Sequence, residues 1–278
     1  MRFYPTDKES AMNALTIAVE AAHQAGELIL QHFRQPHEIQ MKGPADYVTE
    51  VDVKAEDAIV HTIRRAFPAH AFLAEEEHKP SQGAEYVWVV DPLDGTRNYI
   101  RGIPFFCTSI ALVEGGRTVL GVIYDPLRKE TFAAEAGKGL RLNGKRVRFT
   151  KQTNLENTVV YFGFLPTRHA DDRGLSLPLL VHLRPRIEAV RTMGCAALSL
   201  AYVACGRLDV ACHDHLNAWD MMAGALLIKE VGGIATGFWG KPISVASESI
   251  IAASSPSLHA EILSVAREVL KEHRLPTR

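Results

Sequence analysis

Asp91 and Asp94 stand close together in Trp88-Val89-Val90-Asp91-Pro92-Leu93-Asp94-Gly95-Thr96, directly behind an apolar run. A buried strand over 86–90 that stops at Asp91-Pro92 would carry both carboxylates to its C-terminal end. Paired carboxylates there make a hard-oxygen site suited to Mg2+. Gly95 and Thr96 then open what reads as a helix, whose first N–H groups would hold a phosphate. A cation beside that phosphate is the arrangement that metal-assisted phosphate hydrolysis needs. The plain alternative is a capped turn in which Asp94 bonds its own loop, and the short motif alone favours it.

Other acidic segments invite the same question. Ala74-Glu75-Glu76-Glu77 follows the apolar Ala71-Phe72-Leu73, so Glu75 sits where a ligand would, while Glu77 reads as solvated. Asp220 opens the otherwise apolar Trp219-Asp220-Met221-Met222-Ala223-Gly224, where a first-turn acid also complements the helix dipole. Asp52 closes Asp46-Tyr47-Val48-Thr49-Glu50-Val51-Asp52 and reads equally as an N-cap for a helix after it.

Elements able to position these residues are visible in the pattern. Leu15, Val19, Ala22, Gly26, Ile29 and Phe33 form one helical stripe over 11–33, with Thr6 and Glu9 as a capping box and Gly43-Pro44 as a break. A second helix is expected over 53–67. Strands come next at 86–90, 108–113, 118–124 and 131–134, with a hairpin at Gly115-Gly116 and a type I′ turn at Asn143-Gly144 in the strand-rich 140–149 region. The last third reads as strand 159–164, helix 195–205 ending at Gly206, strand 208–212, helix 219–230 and strand 249–253. Ser255-Pro256 then caps a final helix. The class is α/β (α+β), with helices on a mainly antiparallel sheet in the first half.

Composition narrows the functions. The chain has 278 residues, 47% hydrophobic and 23% charged, with a formal net charge of −1. It has no basic excess to release counterions from a nucleic acid, so direct nucleic-acid binding is not expected. No signal peptide or membrane span is visible, and a cytoplasmic protein is the reading. Cys107, Cys195, Cys205 and Cys212 lack CxxC spacing and read as buried thiols; Cys107, Cys205 and the pair Met221-Met222 read as core. Arg97, Arg101 and Arg191 read as surface charges, one of which could steer an anion.

Taken in order, the motifs resemble the inositol monophosphatase family of Mg2+-dependent phosphatases. WVVDPLDGTRNYIRGIPFF resembles its signature of an apolar strand and then DPxDGTxNF, and WDMMAGALLIKEVGG resembles WDxAAGxLIxxEAGG. DYVTEVD and AEEE fall where the family has VTxxD and GEE. The resemblance implies a layered α-β-α-β-α sandwich, a single domain over 1–278 with halves at about 1–150 and 151–278, and a homodimer. It implies two or three Mg2+ held by Glu75, Asp91, the Leu93 carbonyl, Asp94 and Asp220, with Asp91 bridging. Thr96, supported by Asp52, would orient and deprotonate the attacking water, and Glu75 belongs to the same catalytic set. Leu93, Asp94, the N–H groups of Gly95 and Thr96, the segment Gly194-Cys195-Ala196, His213 and Asp220 would line the site for a small phosphorylated substrate.

His213 departs from the family pattern. It occupies the place of a glutamate that accepts hydrogen bonds from inositol, so a different alcohol is expected. An imidazole there could donate, or when protonated tolerate a second anion. Ala74 in place of a glycine is a milder change. Cys212-His213-Asp214-His215 could suggest zinc, but alternation in a strand would split its donors between two faces. Inositol phosphate, histidinol phosphate, sugar (bis)phosphates and nucleotides all remain candidates. A regulatory, partner-binding protein using the same fold, associated with RNA machinery, is the alternative of another class.

Overall fold

The structure, a computed structural model, describes residues 7–43, 46–78, 83–164 and 174–272. Helices α1 (Asp7–His32) and α2 (Glu50–Ala66) are separated by a small hairpin of β1 (Ile39–Gly43) and β2 (Asp46–Thr49). The sequence pattern shows only a break there. Helix α2 also starts earlier than 53, because Thr49 is its N-cap: Thr49 Oγ1 accepts from the Val51 N–H. Asp52 is therefore not the N-cap. It is the far half of a capping box and accepts from the Thr49 N–H and hydroxyl. The capping box expected at Thr6 and Glu9 lies outside the described residues.

Strands β3 (Ala71–Ala74), β4 (Tyr86–Asp94), β5 (Cys107–Glu114), β6 (Arg117–Asp125), β7 (Glu130–Glu135), β8 (Arg141–Leu142) and β9 (Lys145–Arg146) form a seven-stranded sheet in chain order. A five-residue helix, α3 (Thr96–Ile100), interrupts them after β4. Only β3 and β4 pair in parallel, so the sheet is mainly antiparallel as expected. The β5–β6 turn has positive φ at Gly115 and Gly116, and the β8–β9 turn at Asn143 and Gly144. These are the conformations a type I′ turn demands. Strand β4 does not stop at Pro92. Its register shifts between Asp91 and Asp94, so the proline sits in the irregularity and pairing resumes at Asp94 with Cys107.

The second half contains β10 (Val159–Gly163), α4 (Ser176–Leu183), β11 (Ala189–Arg191), α5 (Ala196–Ala204), β12 (Val210–Asp214), α6 (Ala218–Glu230), β13 (Ile234–Thr236), β14 (Ser249–Ala253) and α7 (Pro256–Glu272). The five-stranded sheet runs β11-β10-β12-β14-β13, parallel through β12 and antiparallel beyond it. Helix α4 and strand β13 are not visible in the sequence pattern. Strand β12 sits two positions later than 208–212, which places His213 inside it.

Alternation along the strands sorts the core into layers. Trp88, Val90, Ile110 and Val122 pack against α1 and α2, whereas Val89, Ala111 and Ile123 turn to α5 and α6. Tyr161, Ala211 and Ile250 of the second sheet meet α5 and α6 from the other side. Phe162, Cys212 and Ile251 face α4 and α7. The order is α, β, α, β, α, and both sheets are covered on both faces. That explains why their strands read as nearly continuous apolar runs. No helix among the described residues is long and apolar enough to cross a membrane.

Glycines set the spacing of the middle layer. A Cβ at Gly121 of β6 would stand 3.0 Å from the Ala223 carbonyl oxygen, and one at Gly224 would stand 2.5 Å from Leu200 Cβ on α5. Gly224→Val is expected to cost about 1–3 kcal/mol, the usual range for overpacking. The measurement is the urea midpoint at constant m-value. An unchanged midpoint would show that α5 and α6 can part without cost.

Candidate active site

Asp91 lies on the same side of β4 as Val89, facing the middle helices, and Asp220 is the third residue of α6. Carboxylate oxygens of Asp91, Asp94 and Asp220 all fall within 4.8 Å of one another. Each is held by a backbone N–H. Asp91 Oδ1 accepts from Leu93 at 3.0 Å, Asp220 Oδ2 from Asn217 at 2.6 Å, and Asp94 Oδ2 from Ala197 at 2.6 Å. Asp94 thus does not bond its own loop; it receives the N-terminus of α5, which has no capping side chain at Cys195. The residue that bonds its own loop is Asp91.

Electrostatics reflect the crowding. Burial, with Glu75, Asp94 and Asp220 as like-charged neighbours, holds the Asp91 carboxyl well above the usual range. Burial likewise raises Glu75, with Asp220, Glu76 and Asp52 adding to it and Lys42 opposing it. Asp94 is pushed up to about 6 by burial, offset by the Cys195 thiol and the α5 N–H groups. Glu75 comes directly after β3, and its N–H donates to Val90 O at 3.2 Å. Four sequence-predicted acids therefore share one field, and Asp52 joins through Thr96.

Thr96 Oγ1 lies 3.1 Å from Asp52 Oδ1 and 2.9 Å from Leu93 O. A hydroxyl carries one proton, so it donates to one of these at a time. Gly95, at φ 95°, is required by the turn: a Cβ would stand 3.0 Å from Phe105 O and 3.3 Å from Cys195 Cβ. Asn98, which sequence reasoning missed, donates through Nδ2 to Phe105 O and Met193 O, each at 2.7 Å. This ties α3 to the segment that leads into Gly194, Cys195 and Ala196. A Cβ at Gly194 would press on the Asn98 amide at 3.2 Å.

Glu56 was missed as well. It is buried on α2, one turn beyond Asp52, and accepts from the Glu76 N–H at 2.8 Å, the Glu77 N–H at 2.9 Å and His78 Nδ1 at 2.8 Å. These bonds anchor the loop that carries Glu75. The signal was an acid on the apolar face formed by Val51, Ala55, Ile59 and Ile63. Lys42 of β1, also missed, pairs with Glu76 and reaches within 3.6 Å of Glu75 Oε1.

His213 is 7% exposed on the middle-layer face of β12, beside Tyr161. Its ring fills the space where a side chain at Gly163 would stand, since a Cβ there would lie 1.6 Å from His213 Cδ2. Burial pushes its pKa down, which favours the neutral ring. Nδ1 lies 2.6 Å from Asp214 O, and a carbonyl only accepts, so Nδ1 carries the proton. Nε2 is then an acceptor. Asp214 itself accepts from the Ser176 N–H at the start of α4. Among the described residues, Cys212, His213, Asp214 and His215 do not gather as a metal cluster.

The family model for the inositol monophosphatase family matches residues 11–271. The chain belongs to the inositol monophosphatase family. A Pseudomonas aeruginosa relative named Nus factor SuhB is 40% identical over 258 residues, spanning 90% of this chain and 95% of the relative. The Escherichia coli K12 protein of that name is 38% identical, spanning 93% and 97%. The extragenic suppressor protein suhB of Bartonella henselae superposes with a TM-score of 0.86 at 36% identity, covering 92% of this chain and 99% of that one. A Thermotoga maritima IMPase gives 0.85 at 34%, covering 94% and 99%.

The donors fit a hard divalent cation: all are carboxylates, closely spaced and mutually repelling, with Asp91 fully buried. Their pKa values predict a linkage. In the folded chain without cations Glu75, Asp91 and Asp94 sit above their unfolded values, so the folded state binds the extra protons. Stability is then lost as pH rises from about 4 through the folded values, about 6 for Asp94. A cation that replaces those protons reverses the loss. The Tm increase on adding Mg2+ should therefore be larger at about pH 7.5 than at about pH 5. An increase equal at both, measured by calorimetry, would mean that these carboxyls are not what the cation meets.

Proposed function

We propose that this chain is a Mg2+-dependent phosphomonoesterase acting on a small phosphorylated alcohol or sugar by direct attack of water. The observation that carries the reading is the convergence of Asp91, Asp94 and Asp220 within 4.8 Å, beside Glu75 and the Asp52–Thr96 pair. Glu75, Asp91, the Leu93 carbonyl, Asp94 and Asp220 would hold two or three Mg2+. When bound, the cations would neutralise the phosphate, lower the pKa of water and stabilise the departing alkoxide.

The chain's own groups do the positioning. With its proton donated to Asp52 Oδ1, Thr96 Oγ1 offers a lone pair to an attacking water, and the water proton passes by way of the Thr96 hydroxyl to Asp52. Burial raises the pKa of Asp52, which suits it to take a proton. The Gly95 and Thr96 N–H groups would face phosphate oxygens. Gly194, Cys195 and Ala196 would flank the alcohol, and His213 Nε2 would accept a hydrogen bond from one of its hydroxyls. The chain would work as a homodimer, as the family resemblance implies.

A second reading has its own support, since several relatives bear the name Nus factor. In it the chain acts as a regulatory, partner-binding protein associated with RNA machinery. The retained carboxylates favour catalysis, and the two roles can coexist.

Mg2+-dependent phosphate release over a panel of inositol, histidinol, sugar and nucleotide phosphates is the deciding assay. Release is expected with at least one member. A folded chain inert to the whole panel would leave the regulatory reading. Asp91→Asn should reduce release by more than about a hundredfold, beyond what changes around a metal's ligands cause. Near-normal turnover with an unchanged circular dichroism spectrum would sink the assignment. His213→Glu should raise kcat/KM for inositol phosphate relative to the preferred substrate; an unchanged ranking would remove His213 from the pocket.

A further inference from the structure

Behind the carboxylates, Cys107 and Cys195 bring their sulfurs to 3.7 Å. Cys107 begins β5 opposite Asp94 in the sheet register, and Cys195 precedes α5. Cys195 Sγ is 3.0 Å from Asp94 Oδ2. The two sulfurs and an Asp94 oxygen all lie within 4.8 Å of one another. The phosphatase reading places Cys195 beside the substrate but gives the pairing of the two sulfurs no task, and filling core would not require them to converge on a carboxylate.

We propose that Cys107, Cys195 and Asp94 form a second cation site, selective for a thiophilic divalent ion such as Zn2+ or Cd2+. Thiolates favour such ions, whereas Mg2+ prefers oxygen. A tetrahedral ion with metal–sulfur bonds of about 2.3 Å needs its sulfurs about 3.8 Å apart. The observed 3.7 Å is already that edge. The sulfur–oxygen edge for the same ion is about 3.5 Å, so Asp94 must withdraw by about half an ångström. Three protein ligands leave a fourth position for water, the pattern of an exchangeable rather than a closed site.

Binding balances simply. Two S–H bonds break, two sulfur–metal bonds form, and two protons leave to solvent. The two thiolates match the charge of the ion, and the Asp94 carboxylate leaves the occupied site with one negative charge in excess. Both cysteines are buried while Asp94 is partly exposed, so the ion enters across the carboxylate cluster. Because Asp94 serves both sites, a soft ion competes with Mg2+. That consequence rests on the phosphatase reading, but the site itself does not.

The test uses the reduced full-length chain, free of Mg2+, titrated with Cd2+. A thiolate-to-cadmium charge-transfer band in the ultraviolet should appear and saturate, with an amplitude that corresponds to one ion held by two thiolates per chain. Cys107→Ser and Cys195→Ser should each weaken binding by more than about tenfold. The Cys205→Ser/Cys212→Ser chain should bind as the parent does. No band in the parent, or a band kept by the Cys107→Ser/Cys195→Ser chain or lost in the Cys205→Ser/Cys212→Ser chain, overturns the site. Cys107→Ala and Cys195→Ala serve if the serine variants do not fold. If those fail too, the Cys205→Ser/Cys212→Ser chain decides. Mg2+-dependent phosphate release without a cadmium band would overturn this site and leave the phosphatase reading standing.

Discussion

Carboxylates that repel one another have to be held together by something other than their side chains. Here the holding is done by backbone N–H groups. Asp91 takes one from Leu93, Asp94 from Ala197, Asp220 from Asn217, and Asp52 from Thr49. The acceptors lie at a strand end and near helix N-termini, where free donors are most available. The Asp94 bond matters most for architecture. It fastens the seven-stranded sheet to α5 and so brings the two halves of the chain to one point. The layers differ in sequence distance but meet where their unsatisfied donors meet.

Much of this was legible in the sequence. An apolar strand ending in two aspartates, a glutamate after a second strand and an aspartate in the first turn of a helix were each visible within a short window. So were the β5–β6 and β8–β9 pairings of the first sheet, because turn residues with positive φ announce themselves. The layered fold itself came from resemblance, since periodicity describes elements rather than their stacking.

The features that escaped were set by distant partners. The role of Glu56 depends on a loop about twenty residues on that only the folded chain brings near it. Gly163 looks like an ordinary strand end until the His213 ring occupies its missing side chain. The tautomer of His213 depends on a carbonyl, which no side-chain pattern encodes. Helix α4 hid because Leu177 and Val181 face outward, at 61% and 63% exposure, and blur its apolar stripe. The hairpin of β1 and β2 hid because its exposed Ile39 and Met41 bury no face that alternation could reveal.

Helix α2 is constrained in a way that burial alone does not supply. Asp52 reaches Thr96 and Glu56 reaches the loop of Glu75, and they sit one turn apart on the same face. The helix therefore works as a ruler. It fixes how far the Asp52–Thr96 pair stands from Glu75, independently of the sheet. Each residue added or removed along an α-helix turns the remainder of that helix by about 100°. The outward face of α2 is free to vary in composition, while the spacing between these two acids is a dimension of the site.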